Sequence, residues 1–126
     1  MVTNTNFAGC AIGVKDAGNA HMIMFKSGVG VTGMDTTSYS SATSGTANHK
    51  AGGAMLVSGI IWQRIVDDGT NFTFYYSINN GISWVQFDQW AVTDYLTSPA
   101  TAFFAAQSDN AGVNPGGVSL ISWTLQ

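Results

Sequence analysis

At 126 residues the chain can bury one hydrophobic core but not two, so it is read as a single domain spanning residues 1–126. Charged residues make up 9% of it, against about 25% in an average soluble domain. Four basic residues against seven Asp, with no Glu, leave a net charge of −3. That balance excludes a phosphate-tracking basic surface and with it nucleic acid as a partner. The apolar runs are strand-sized, short of the roughly 20 residues of a membrane helix, so membrane insertion is not expected. The opening MVTNTNFAG lacks the basic-then-apolar pattern of a secretory signal. A surface filled by Ser, Thr, Asn and Gly suits extracellular and virion β-proteins, and release by host lysis would bring such a chain outside the cell without a signal.

No segment carries a capped apolar stripe of helical period, and β-branched and aromatic residues dominate the apolar positions, which predicts an all-β fold. The first expected strand, 7–14, contains Cys10 in the apolar run FAGCAIGV. A single cysteine excludes an intrachain disulfide and a cysteine-rich metal site, and this setting predicts a small buried thiol. Lys15, Asp16, Ala17, Gly18 and Asn19 form a turn into the second strand, 20–27. A weak strand is expected at 36–39, and the polar, aperiodic 38–53, with His49 and Lys50, reads as a long surface loop.

Strands are next expected at 59–67 and 71–77, joined by the turn Asp67-Asp68-Gly69-Thr70. Alternation sets Ile61, Gln63 and Ile65 against Trp62, Arg64 and Val66, and Phe72, Phe74 and Tyr76 against Thr73, Tyr75 and Ser77. Ile65, Phe72 and Phe74 are assigned to the core. Trp62, Arg64 and Tyr75 then share an outer face, where aromatic rings need something to stack on them. The remaining strands are expected at 83–87, 102–107 and 118–125, with a polar loop at 108–117. Short strands at this spacing point to a sandwich or jelly roll.

Ser77-Ile78-Asn79-Asn80-Gly81-Ile82-Ser83-Trp84 fits the pattern S-x-[DN]-x-G-x-[ST]-W and resembles an Asp-box hairpin. Ser77 and Asn79 would cap the turn, Gly81 would take a positive φ and Trp84 would cover the base, a structural task that needs no ligand. The wider stretch WQRIVDDGTNFTFYYSINNGISW resembles the strand-hairpin-strand signature of concanavalin A-like lectin/glucanase sandwiches. FAGCAIGVKDAGNAHMIMF and FFAAQSDN with GGVSLISWTL are similar to other parts of that family, so the resemblance covers residues 7–125. It implies a jelly-roll β-sandwich, shortened at its N-terminus because the family's leading strands have no counterpart here. Either the sandwich is a reduced one or a partner chain covers the open edge. Such modules are frequent in phage tail fibres, spikes and head fibres, which implies a virion part that attaches to a cell-surface glycan or serves as a structural knob.

Hydrolases of that sandwich use a pair of Glu residues, and this chain has none. Sialidase chemistry needs an arginine cluster, and Arg64 is the only arginine. His21 falls in an apolar strand and His49 in a loop, and no G-x-S-x-G elbow is present, so no nucleophilic triad is expected either. Asp109, Asn110 and Asn114 have calcium-type oxygens but read as an ordinary polar loop, and neither metal nor cofactor is expected. A sugar site needs a flat aromatic surface and planar polar groups. Trp62, Arg64 and Tyr75 supply these, with Trp90 and Tyr95 in reserve. The same residues suit a subunit interface in a homo-oligomer or a contact with another virion protein. Glycan attachment and pure assembly both stand open on the sequence.

Overall fold

The computed structural model describes residues 9–29, 33–41, 44–52 and 61–107. They form eight strands: β1 (Gly9–Asp16), β2 (Met22–Val29), β3 (Gly33–Ser41), β4 (Ser44–Gly52), β5 (Trp62–Asp67), β6 (Asn71–Ser77), β7 (Val85–Ala91) and β8 (Pro99–Gln107). One sheet has five strands in the order β4-β3-β2-β1-β8 and the other has three in the order β5-β6-β7. Every pairing is antiparallel. The chain thus runs four strands as a meander, crosses to the second sheet for a three-strand meander, and returns β8 to the free side of β1. The expected strand at 118–125 and the loop at 108–117 lie outside the described residues.

Register explains which side chains meet. Pairing of Ile12 with Phe25, Val14 with Ile23 and Ile12 with Phe104 sets these on the face of the five-stranded sheet that looks toward the three-stranded one. From the other side, Ile65 pairs with Phe74 and Asp67 with Phe72, so these residues share the inner face of the smaller sheet. The resulting core holds Ile23, Phe25, Met34, Phe72, Phe74, Phe87, Trp90 and Leu96, with Ile12, Val14, Ile65 and Tyr76 packed against it. Phe25 is its hub, stacked on Phe87 at 5.3 Å between ring centroids and edge-on to Phe74 at 5.8 Å. The core assignment of Ile65, Phe72 and Phe74 holds. Cys10, expected to be buried, is half-buried, with its Sγ 2.9 Å from the Ser27 hydroxyl.

Residues 38–41 and 44–52, expected as part of a loop, are strand. Most of them belong to β4, an edge strand whose described side chains are all solvent-exposed, so no burial imposed an apolar alternation on it. Backbone pairing with β3 carries it, interrupted by three register shifts, and Thr46 donates to the Ser38 carbonyl at 2.9 Å. β3 hides for the opposite reason. Its residues Asp35, Thr36, Thr37 and Ser38 are all buried, yet they are polar because each is hydrogen-bonded to a neighbouring element or to the strand itself.

The two sheets differ in what their outer faces meet. On the outer face of the five-stranded sheet, Ala11, Met22, Met24 and Tyr39 form a second buried cluster. Lys26 and Asp35 lie in it too, with Lys26 Nζ 3.2 Å from the Asp35 carboxylate and 2.8 Å from the Tyr39 hydroxyl. The three-stranded sheet instead turns Arg64 and Val66 outward to solvent, with Trp62 and Tyr75 half-exposed beside them. Thr73 and Ser77 on that same face are buried, so the part open to solvent is the β5 side around Arg64 and Val66.

Candidate functional site

The hairpin between β6 and β7 is built by its side chains. Buried Ser77 accepts hydrogen bonds from the backbone N–H of Gly81 at 2.9 Å and of Asn79 at 3.3 Å, and its own hydroxyl donates to Asn79 Oδ1 at 2.8 Å. Asn79 in turn accepts from the Ser83 backbone N–H at 3.0 Å and donates to the Ser83 hydroxyl at 2.8 Å. Asn80 and Gly81 take the left-handed backbone conformation, φ 60° and 78°, which costs an Asn little and a Gly nothing. A Cβ on Gly81 would lie 3.5 Å from the Trp84 ring, so that ring packs on the turn as the motif predicts.

Trp84 has a second neighbour that the sequence did not disclose. The Arg64 guanidinium carbon lies over the Trp84 ring at 4.3 Å from its centroid and over the Tyr75 ring at 4.9 Å. Cross-strand pairing causes this: Arg64 is directly opposite Tyr75 on β6, and the hairpin sets Trp84 just before β7, within reach of the long side chain. No carboxylate and no hydrogen-bond acceptor among the described residues engages Arg64. Trp62 follows the same alternation two residues earlier on β5, and its indole N–H is buried with no acceptor among the described residues. Leaving such a donor unpaired costs about 1–3 kcal/mol.

Trp62, Arg64 and Tyr75 therefore share one face, joined by Trp84. Trp90 and Tyr95 do not join them. Trp90 is 5% exposed and belongs to the core, donating its indole N–H to Asp88 Oδ2 at 2.9 Å. Tyr95, in the connection after β7, stacks on His21 at 4.8 Å between centroids and places its hydroxyl 3.4 Å from Thr46.

These two residues instead mark a seam where edge strand β4 meets edge strand β7. There Asp88 accepts from Thr36 and Trp90 and lies 2.9 Å from Nδ1 of His49, whose ring rests against Trp90 at 4.5 Å between centroids. Lys50 donates to the Phe87 carbonyl and lies over the Phe87 ring. Burial by itself would raise the pKa of Asp88, but the hydrogen bonds from Thr36, His49, the Gln89 backbone and Trp90 outweigh it and hold the carboxyl below its ordinary value. His49 thus belongs to a strand and tethers one sheet to the other. Among the described residues no cluster of three or more His, Cys or Asp comes together as a metal site would require.

Asp16, read as a turn former, does more than that. It is buried, and its carboxylate accepts from the backbone N–H of Thr97 and Ser98 at 2.9 to 3.1 Å, the Thr97 hydroxyl at 3.1 Å and Asn19 at 3.0 Å. Burial would raise its pKa, yet these bonds together lower it. The effect is to pin the connection between β7 and β8 onto the end of β1. No family model, curated protein sequence or solved structure matches this chain.

Proposed function

We propose that this protein is a non-catalytic carbohydrate-binding module that attaches a phage or virus particle to a cell-surface glycan, built on a concanavalin A-like jelly roll. The observation that carries this reading is the aromatic and cationic cluster of Trp62, Arg64, Tyr75 and Trp84 on the open face of the smaller sheet. Sugars are held by aromatic surface against the ring and by planar hydrogen-bonding groups at its substituents, and this face combines both on strands and a braced hairpin. The low charge and the Ser-, Thr-, Asn- and Gly-rich composition suit a particle surface outside the cell.

Assembly without glycan binding is the second reading, and one observation favours it. Ile78 is 69% exposed, Ile82 85% and Val85 51%, all at or beside the hairpin, and Val66 is exposed on the same face as Arg64. Exposed apolar side chains so close together suit contact with another copy or another virion protein. A glycan array read beside the mass in solution separates the two. Under the attachment reading, Trp62→Ala abolishes glycan binding with the melting temperature within a few degrees of the wild type and the mass unchanged. Under the assembly reading the same change lowers the oligomeric mass. A monomer that binds no glycan and is indifferent to Trp62→Ala defeats both.

A further inference from the structure

We infer that the glycan held by this face is an acidic one, recognised through a sugar carboxylate at Arg64; the inference rests on the carbohydrate-binding reading above. Four observations lead there. Arg64 is exposed, and its guanidinium rests over the Tyr75 and Trp84 rings. Those contacts use the π-faces of the rings and leave the N–H groups of the guanidinium without an acceptor among the described residues. The arginine is also positioned before any ligand arrives, since Tyr75 is fixed by the β5–β6 ladder and Trp84 by the Ser77 and Asn79 bonds of the hairpin. Finally, the guanidinium covers one face each of the Tyr75 and Trp84 rings, so at those two rings it is the cation that is presented, while among the described residues no such contact covers Trp62.

The chemistry of the ligand follows from these points. A guanidinium only donates, and its planar fork matches the two oxygens of a carboxylate. Neutral sugar hydroxyls bring donors as well as acceptors and use such a site poorly. Bulk electrostatics cannot be the source of selectivity, because the chain carries a net charge of −3 and would repel polyanions at long range. Discrimination must come from one directed contact. A preorganised charge-assisted pair at a part-exposed site supports roughly a tenfold to hundredfold preference for the acidic sugar over its neutral counterpart.

The test uses the full chain and an array of uronic-acid and sialic-acid oligosaccharides printed beside their carboxyl-reduced forms and beside sulfated neutral sugars. Binding to the carboxylated members about tenfold or more above the reduced forms is expected. Arg64→Gln should erase that preference while keeping the fold, checked by thermal melting, and Arg64→Lys should restore the charge but only part of the preference. Equal binding of acidic and reduced sugars, or an unchanged preference in Arg64→Gln, overturns the inference and leaves the carbohydrate-binding reading standing. Binding confined to the sulfated sugars overturns the carboxylate assignment. Binding to no member of the array overturns the inference together with the reading it rests on.

Discussion

Ser77→Ala removes one oxygen and with it three hydrogen bonds, those to Gly81 N–H, Asn79 N–H and Asn79 Oδ1. Each such bond contributes about 0.5–1.5 kcal/mol net, and Ser77 is buried, so water does not simply replace the missing hydroxyl. Asn79 Oδ1 retains the Ser83 backbone N–H, which limits the loss on that side. Destabilisation of about 2–3 kcal/mol is expected, and in a domain of this size that lowers the melting temperature by roughly 6–15 °C. The change also reaches the candidate site. Gly81 and Trp84 are in contact, and Trp84 supports Arg64, so a loosened hairpin frees the arginine. Differential scanning calorimetry reports the first effect and near-ultraviolet circular dichroism of the tryptophans the second. A variant that melts within a degree of the wild type, with an unchanged tryptophan signal, would show that the turn does not depend on its side-chain caps.

Lys26→Met leaves Asp35 buried without its cation and should cost about 3–5 kcal/mol by urea unfolding, whereas the double change Lys26→Met with Asp35→Leu should recover much of that loss. Asp16 and Asp88 both titrate below the ordinary carboxylate value in the fold. Their contribution is therefore complete above the unfolded value of about 3.9 and is lost as the pH falls through their lower folded values. The melting temperature should drop on acidification below about pH 4, and Asp16→Asn should lower it at neutral pH and flatten that acid limb. Purified protein should not hydrolyse polysaccharides or sialosides, and turnover abolished by a single Asp substitution would reverse that expectation.

The all-β class was legible because strands write an alternating sequence pattern, as in β6, where Phe72, Phe74 and Tyr76 alternate with Thr73, Tyr75 and Ser77 and whose predicted limits 71–77 are those observed. The hairpin was legible for a different reason: its geometry depends on Ser77, Asn79 and Gly81 themselves, so the residues name the turn. β4 was illegible because its exposed side chains carry no apolar alternation, and the backbone pairing and the polar contacts of Thr46, His49 and Lys50 that hold it leave no periodic signal in the sequence. β3 was legible only in part, as the weak strand at 36–39, because its buried residues Asp35, Thr36, Thr37 and Ser38 are polar side chains whose burial residue type does not announce. At the site, alternation placed Trp62, Arg64 and Tyr75 together. It missed Trp84, whose approach to Arg64 depends on how the hairpin delivers it, and it could not separate Trp90 and Tyr95, which belong to the other side of the small sheet.

The architecture gives a reason for the site to be where it is. Both faces of the five-stranded sheet contribute buried clusters, so its side chains are committed to packing. The small sheet is held on its inner face by the Phe72 and Phe74 rings and along the β4–β7 seam by Asp88, His49 and Lys50. Fixed in this way from within, it can leave part of its outer face, around Arg64 and Val66, in contact with solvent without losing its place. That freedom is what allows an arginine to stand in the open with rings beneath it. An exposed cation in a chain with so few is costly in side-chain entropy to immobilise, by up to about 2 kcal/mol, and among the described residues it is immobilised against aromatic rings, with no carboxylate engaging it. An exposed ion pair would contribute no more than about 1 kcal/mol, similar to the ring contacts, so stability alone does not select between the two partners. What the ring contacts do differently is leave the guanidinium N–H groups without an acceptor among the described residues, and that is the property Arg64→Gln removes.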